Sequence, residues 1–301
     1  MIYTVTFNPA LDYIVHTDRI QMGNINKINR EQIFAGGKGI NVSIVLKNLG
    51  IDSIATGFIA GFTGNEIDRQ LVERGVATRF IRLPAGTSRI NIKLKNEFET
   101  EINGTGPEVT REAIDEFKNQ MNMLRDGDYL VISGSTPTLV REDVYGCILR
   151  DLQGRGVNVF LDATGSLLKN ALQYRPFLIK PNKNELEELF DVTLYHQKDI
   201  IEYAGRLKEL GARNVLVSLG ADGAVLLAED GKVYERKAPD GRAINSVGAG
   251  DSMVAGFLAG YMNSGNYEDA LKLGIAAGSA TAFSDGLAEK QDIDKIYSGL
   301  A

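Results

Sequence analysis

The stretch with the most chemical potential is Asn245-Ser246-Val247-Gly248-Ala249-Gly250-Asp251-Ser252, which runs directly into an apolar segment. Two glycines permit a tight turn, and the first N–H groups of a following helix have no intrahelical acceptor. Those groups and the helix macrodipole make a site for anionic oxygen. An aspartate in the same first turn can accept a proton from a hydroxyl. An anion hole beside a base is the equipment for phosphoryl transfer to an alcohol, where catalysis is mostly positioning and charge stabilisation. The same residues also read as a plain helix start, with glycines for close packing and Asp251 as an N-terminal charge. The pattern is neither a Walker A loop nor a dinucleotide fingerprint: no Gly-Lys-Ser/Thr follows, and Met253 stands where a third glycine belongs.

Four further clusters carry polar groups beside glycine or proline. Phe34-Ala35-Gly36-Gly37-Lys38-Gly39-Ile40-Asn41 enters a helix, with glycines for close approach to a polyhydroxy ligand and Lys38 and Asn41 as donors. Asn8-Pro9-Ala10-Leu11-Asp12 leaves the first strand, where Asp12 is placed to accept from hydroxyls or simply to turn the chain. In Lys180-Pro181-Asn182-Lys183-Asn184-Glu185, Asn182 and Glu185 meet at i, i+3, either to arrange the waters of a Mg²⁺ ion or to cap a helix. Ser218-Leu219-Gly220-Ala221-Asp222-Gly223 is a strand-to-turn cluster suited to nucleotide contact or to turning alone.

The elements that must position these groups follow from hydrophobic periodicity. Apolar runs at Ile2–Phe7, Ser53–Ile59, Tyr129–Ser133, Val157–Leu161, Phe177–Ile179 and Val215–Leu219 read as strands separated by helices. Continuous apolar strands of that kind predict a parallel sheet covered on both faces. Val225–Leu227 and Val233–Arg236 predict a late hairpin turning at Asp230-Gly231. Helices are expected from Lys38 to Gly50, over Asn65–Arg74, over Ala249–Tyr261 and over Tyr267–Phe283. Two segments, 12–34 and 87–104, alternate instead: Tyr13–His16, Lys27–Arg30, and Ile90, Ile92 and Leu94 against Asn91, Lys93 and Lys95. They predict one discontinuous small sheet forming a lid over a cleft, within a single domain spanning 1–301.

Composition narrows the function. The 301 residues suffice for a large core without staples, and a lone Cys147, read as core, excludes a disulfide framework and multi-cysteine metal sites. Only His16 and His196 could supply imidazole, and neither lies in a motif. A net charge of −6 argues against nucleic-acid binding through bulk electrostatics. The longest apolar run, Met253–Met262, is too short to span a bilayer, and no secretory leader pattern opens the sequence, so a cytoplasmic location is expected. Glycine is in surplus, 33 residues against a usual level of about 7%. Its clustering in the motifs explains part of that.

Taken together, the Asn182–Glu185 pair, GGKGIN at Gly36–Asn41 and NSVGAGDSMVAGF at Asn245–Phe257 resemble the ribokinase-like (phosphofructokinase-B) sugar kinases, over about Ile2 to Asp285. The resemblance implies a three-layer α/β sandwich with a mainly parallel central sheet and a small β-sheet lid, often shared in a homodimer. It implies ATP and Mg²⁺ as cofactors and a sugar phosphate as substrate, with neither nucleic acid nor membrane as partner. TVTFNPALDY, the segment Arg89–Glu108 and PFLIKPN are most similar to the bacterial 1-phosphofructokinase branch; tagatose-6-phosphate kinases are the close alternative. The chain has no arginine or lysine between Asn96 and Gly106, where some relatives carry a second phosphate-binding arginine. By resemblance, Asp251 is the general base and the Gly248-Ala249-Gly250 backbone holds the transferring phosphoryl group. Asp12, Gly36, Gly37 and Asn41 would bind the sugar, with Ser135 near it and Lys38, Arg89 and Lys27 on its phosphate. Lys180, Asn182, Ser218, Gly220, Gly223 and Gly250 would lie along ATP, and Glu185 would act on Mg²⁺. A sugar-phosphate sensor on the same fold is the non-enzyme alternative, against which an intact Asp251 and glycine loop speak.

Overall fold

A computed structural model describes residues 1–96, 99–134 and 144–300. In chain order, β1 (Ile2–Thr6), β2 (Ala10–His16) and β3 (Arg30–Gly36) precede α1 (Lys38–Asn48) and β4 (Ile54–Ile59). Helix α2 (Gly61–Glu73) leads to β5 (Ala77–Thr78), β6 (Ile81–Arg82), β7 (Arg89–Lys95) and β8 (Glu99–Asn103). Next come α3 (Arg111–Met121), β9 (Tyr129–Ser133), α4 (Val144–Leu152), β10 (Asn158–Asp162), α5 (Gly165–Leu172) and β11 (Leu178–Ile179). They are followed by α6 (Lys183–Phe190), α7 (Gln197–Glu209), β12 (Asn214–Ser218), β13 (Ala224–Leu227) and β14 (Val233–Arg236). Helices α8 (Ala249–Ser264), α9 (Tyr267–Ala282) and α10 (Lys290–Gly299) close the described chain.

The apolar strands assemble as their composition demands. The main sheet runs β14-β13-β12-β11-β10-β9-β1-β4-β5, with β6 also on β4. It is parallel from β12 through β5, and β13 and β14 add an antiparallel hairpin at one edge. Each face is sealed by helices. Phe117, Tyr145, Leu186 and Leu207 pack on one side, where the rings of Phe7, Phe58, Phe117 and Tyr145 cluster with centroids 5.2–5.8 Å apart. Val45, Phe257, Ile275 and Ile293 pack on the other. The result is the three-layer α/β arrangement the sequence predicts.

The second sheet is ordered β3-β2-β7-β8. Register places Asp12 beside Phe34 and Asn91, and Tyr13 beside Ile33 and Ile92. One face therefore carries Asp12, Ile14, Asn91 and Lys93, the other Leu11, Tyr13, Ile90, Ile92 and Ile102. Leu11 and Ala35 anchor this sheet on α1 and α2 through Ile40, Ile67 and Leu71.

Four details differ from the sequence reading. The second strand of the 12–34 segment begins at Arg30, not Lys27, because Asn26 ties Gln21 and Asn24 into a local turn that competes with the ladder. Helix α2 starts at Gly61 rather than Asn65, where Ser88 Oγ accepts from Ala60 N at 3.0 Å and supplies from a distance the cap the local sequence lacks. Helix α10 was not foreseen; its buried anchor is the single residue Ile293, too little for a periodic signal. Cys147 is half-buried with Arg150 Nη2 3.2 Å from its sulfur, not a core residue.

Candidate active site

Parallel strands present their carboxyl ends to one side, and a cavity of about 720 Å³ opens there. Its walls come from the ends of β10, β11 and β12, the starts of α1 and α8, and the inner face of the second sheet.

The start of α1 is fixed by Gly37, whose φ of 128° and close approach to Thr6 leave no room for a Cβ, which would sit 2.6 Å from Thr6 Cγ2. Thr6 Oγ1 also accepts from Ile40 N at 3.0 Å, so strand β1 holds the first turn of α1 directly. Lys38 and Asn41 thereby share the cleft face. Gly248, with φ 81°, plays the same part before α8, where a Cβ would meet Leu287 at 2.7 Å. Ala249 N is engaged by Ser246 O at 3.3 Å, and helix geometry leaves the next N–H groups without intrahelical acceptors.

Asp251 lies in that first turn, 6% exposed, and accepts a hydrogen bond from Asn41 Nδ2 at 2.8 Å. Burial pushes its carboxyl up to about 6, and the nearby charge of Asp162 adds to the rise; the Asn41 hydrogen bond and the Lys38 and Lys180 charges oppose it. Asp162, at the end of β10 and 2% exposed, sits between Lys38 Nζ at 3.2 Å and Lys180 Nζ at 3.5 Å. Burial works to raise the Asp162 carboxyl, but the two lysines outweigh it and hold the group ionised, below the usual carboxylate range. Lys38 shows the reciprocal effect: burial works to lower it, and Asp162, Asp251 and Glu185 together hold its ammonium above the ordinary value.

At the second-sheet end, Asp12 accepts from Asn91 Nδ2 at 2.9 Å and pairs with Lys93 Nζ at 3.0 Å. Arg89 reaches across to donate to Asn8 O at 3.1 Å. A smaller cavity of about 290 Å³, bordered by Gly36, Phe34, Arg74 and Lys93, adjoins this end and shares Asp12 and Asn41 with the main one. At the opposite end, Asn182 and Glu185 form a reciprocal capping box on α6: Glu185 N to Asn182 Oδ1 and Asn182 N to Glu185 Oε2, both 2.8 Å. Ser218, Gly220, Gly223 and Phe283 line the wall beyond them.

The fold thus gathers Asp12, Gly37, Lys38, Asn41, Arg89, Lys180, Asn182, Glu185, Ser218, Gly220, Gly223 and the Gly248–Asp251 turn on one cavity. Gly36 borders only the smaller one, among the two. Lys27 is not brought in; it lies on the exposed loop between β2 and β3, its carbonyl accepting from Thr17 Oγ1 at 3.3 Å. Ser135 falls outside the described residues. Three cleft groups escaped sequence reasoning: Asp162, Asn91 and Lys93. The signal for Asp162 is an acidic residue closing an apolar strand at its carboxyl end. For Asn91 and Lys93 it is the polar phase of an alternating strand. Among the described residues, no three His, Cys, Asp or Glu side chains form a cation cage. None of the described helices is long and apolar enough to cross a membrane.

Residues 5–294 match the pfkB family of carbohydrate kinases. The chain is 42% identical over 296 residues to a 1-phosphofructokinase of Bacillus subtilis, covering 98% of this chain and 97% of the relative. It is 36% identical over 301 residues to a D-tagatose-1-phosphate kinase of Bacillus licheniformis, covering 100% and 98%. Among solved structures, phosphofructokinase-2 of Escherichia coli, in complex with substrates and products, superposes with a TM-score of 0.93 at 28% identity, covering 99% of each chain. Arabidopsis thaliana ribokinase, at a TM-score of 0.80, 19% identity and 98% coverage of each chain, shares the fold.

Proposed function

The chain belongs to the pfkB family of carbohydrate kinases and is an enzyme of that class, and from this we propose that it phosphorylates fructose 1-phosphate with ATP, giving fructose 1,6-bisphosphate. The observation that carries the reaction type is Asp251: a buried carboxylate poised near pH 6 at the amino end of α8, oriented by Asn41. It takes the proton of the sugar hydroxyl as that oxygen attacks the terminal phosphorus of ATP, and the bond from that phosphorus to the bridging oxygen breaks, so that ADP leaves with the electron pair. In the Gly248-Ala249-Gly250 turn, the backbone N–H groups that α8 leaves without an acceptor donate to the phosphoryl oxygens, where negative charge is held in transit. Asp12, Gly36, Gly37 and Asn41 bind the sugar, and Arg89 faces its resident phosphate. Lys180, Asn182, Ser218, Gly220 and Gly223 lie along the nucleotide.

A Mg²⁺ ion carried in with ATP keeps several of its waters and needs only one or two protein carboxylates. The hard oxygen donors at this end of the cleft suit it, and Glu185 would hold it, supplying charge neutralisation of the phosphates. The exposed apolar face of the second sheet supports a homodimer in which that sheet closes over the sugar end.

Similarity to the Bacillus subtilis relative supports fructose 1-phosphate. Tagatose 1-phosphate is the second reading, supported by the Bacillus licheniformis relative. A coupled ADP-release assay on fructose 1-phosphate, tagatose 1-phosphate, tagatose 6-phosphate and fructose 6-phosphate decides among them. The highest kcat/KM is expected on fructose 1-phosphate; equal or better turnover of any other member removes this substrate assignment.

A further inference from the structure

Resting on that reading of the cleft, we propose that Asp162 is a positioning residue for the transfer step: it ties Lys38 and Lys180 together beside the start of α8 and so commits Lys38 to the phosphoryl group in flight rather than to the phosphate already on the sugar. A carboxylate as deep as Asp162 persists only when paired, and its two partners arrive from different elements, Lys38 from the first turn of α1 and Lys180 from the end of β11. A Cβ on Gly250 would lie 3.3 Å from Lys180 Nζ, so that ammonium stands against the first turn of α8. Through Asp162, Lys38 is held at the same end of the cleft.

The cations of the cleft fall into two sets. Arg89 and Lys93 gather around Asn8 and Asp12 on the second sheet. Lys38 and Lys180 gather around Asp162, in the field of Asp251. Within the second set the Lys38 side chain is 41% exposed while Asp162 and Lys180 are 2% and 6% exposed. Lys38 is therefore the arm that a ligand meets, and Asp162 and Lys180 are its fixed base. A lysine on a flexible stem contributes to a transition state only where something restrains it. Without Asp162, the two ammonium groups would repel and Lys38 would swing towards solvent.

Steady-state kinetics of K38M, D162N and the double variant, with pH profiles and Mg²⁺ titrations, test this. Each single substitution is expected to lower kcat by about 10²-fold or more, as for other lost transition-state donors, with the sugar-phosphate KM within about 3-fold of wild type. The double variant should be scarcely worse than the poorer single, because the two residues act as a unit. Four groups face Asp251: Asp162 from β10, Lys38 and Asn41 from α1, and Lys180 from the end of β11. D162N should move the acid limb of kcat to lower pH and K38M should move it higher, opposite shifts that a merely structural role would not produce. K38M leaves the Asp162–Lys180 pair in place, so it decides the matter even where D162N folds poorly. A tenfold rise in sugar-phosphate KM with kcat intact in K38M overturns the proposal, and so does rescue of D162N by excess Mg²⁺. A wild-type enzyme inactive on every sugar phosphate removes the functional reading and this inference together; an active one whose variants keep full kcat removes the inference alone.

Discussion

In the proposed reaction Asp251 would have to be buried to meet its substrate away from water and ionised to take a proton, and these requirements oppose each other. Burial raises its carboxyl to about 6, the Asp162 charge adds to that, and Asn41, Lys38 and Lys180 keep it from rising further. Activity should therefore fall about tenfold per pH unit as pH drops below about 6, read as the acid limb of a kcat–pH profile. The same shift has a stability consequence. A carboxyl whose folded-state pKa lies above its unfolded value favours folding through its neutral form, so the cost of ionising it is absent below about pH 4 and fully developed above about pH 6. D251N should lose most turnover yet be more stable than wild type by about 2–3 kcal/mol at pH 8, with the difference vanishing in acid. Urea melts at both pH values check it; a less stable D251N at pH 8 would contradict the account. At this scale the motif glycines and their neighbours made Asp251, Asn41 and Lys38 legible in the sequence. Asp162 was not legible, because its partner Lys38 lies 124 positions away and an aspartate closing a strand carries no spacing signal.

The elements were more legible where one face is uniformly apolar than where tertiary contacts set an end. Strands β9 through β12 stand where their apolar runs place them, and α1 and α9 end within two residues of the glycine and aromatic signals read for them. The start of α2 depends on Ser88 and the position of β3 on the Asn26 turn, contacts that no periodicity announces. Helix α8 is the element on which the proposed function leans hardest, since its first turn would supply both base and anion site. Gly248 fixes its entry with a left-handed φ of 81°. Gly248→Ala should cost about 1–2 kcal/mol for the backbone conformation alone. The added methyl would also press on Leu287, 2.7 Å away, and tilt the turn off its target. A lowered thermal midpoint together with a drop in kcat of about tenfold or more is expected, since small misplacements of reacting groups are expensive. A destabilised variant with wild-type kcat would show that the entry geometry serves folding only.

At the scale of the molecule, the second sheet is built from two segments separated by α1, β4, α2 and the short strands β5 and β6. It was nonetheless legible, because both segments alternate with period two in a chain whose other strands do not. That alternation runs in an unusual sense. The polar phase, with Asp12, Asn91 and Lys93, faces the cleft, while the apolar phase is only partly covered: Leu11 and Ala35 pack on α1 and α2, and Ile33, Ile90 and Ile102 stay 50%, 43% and 56% exposed. Three isoleucines on one face of a small sheet form a patch that a soluble monomer rarely leaves open, and a second copy presenting the same patch would cover it isologously. Lys27 sits on the loop of this same sheet, outside its own cleft, so in a dimer its route to a sugar phosphate is the neighbouring site. Sedimentation should give twice the 32.8 kDa chain mass, and Ile90→Glu combined with Ile102→Glu should give monomers with a raised sugar-phosphate KM and an unchanged ATP KM. Mixing separates the two routes open to Lys27. A K27A chain keeps Asp251 but lacks the lysine, and a D251N chain keeps the lysine but lacks the proposed base. If Lys27 serves the neighbour, heterodimers of the two regain turnover that neither variant shows alone. Absence of that rescue in verified heterodimers would return Lys27 to the solvent-exposed loop and leave Arg89 to face the resident phosphate without it.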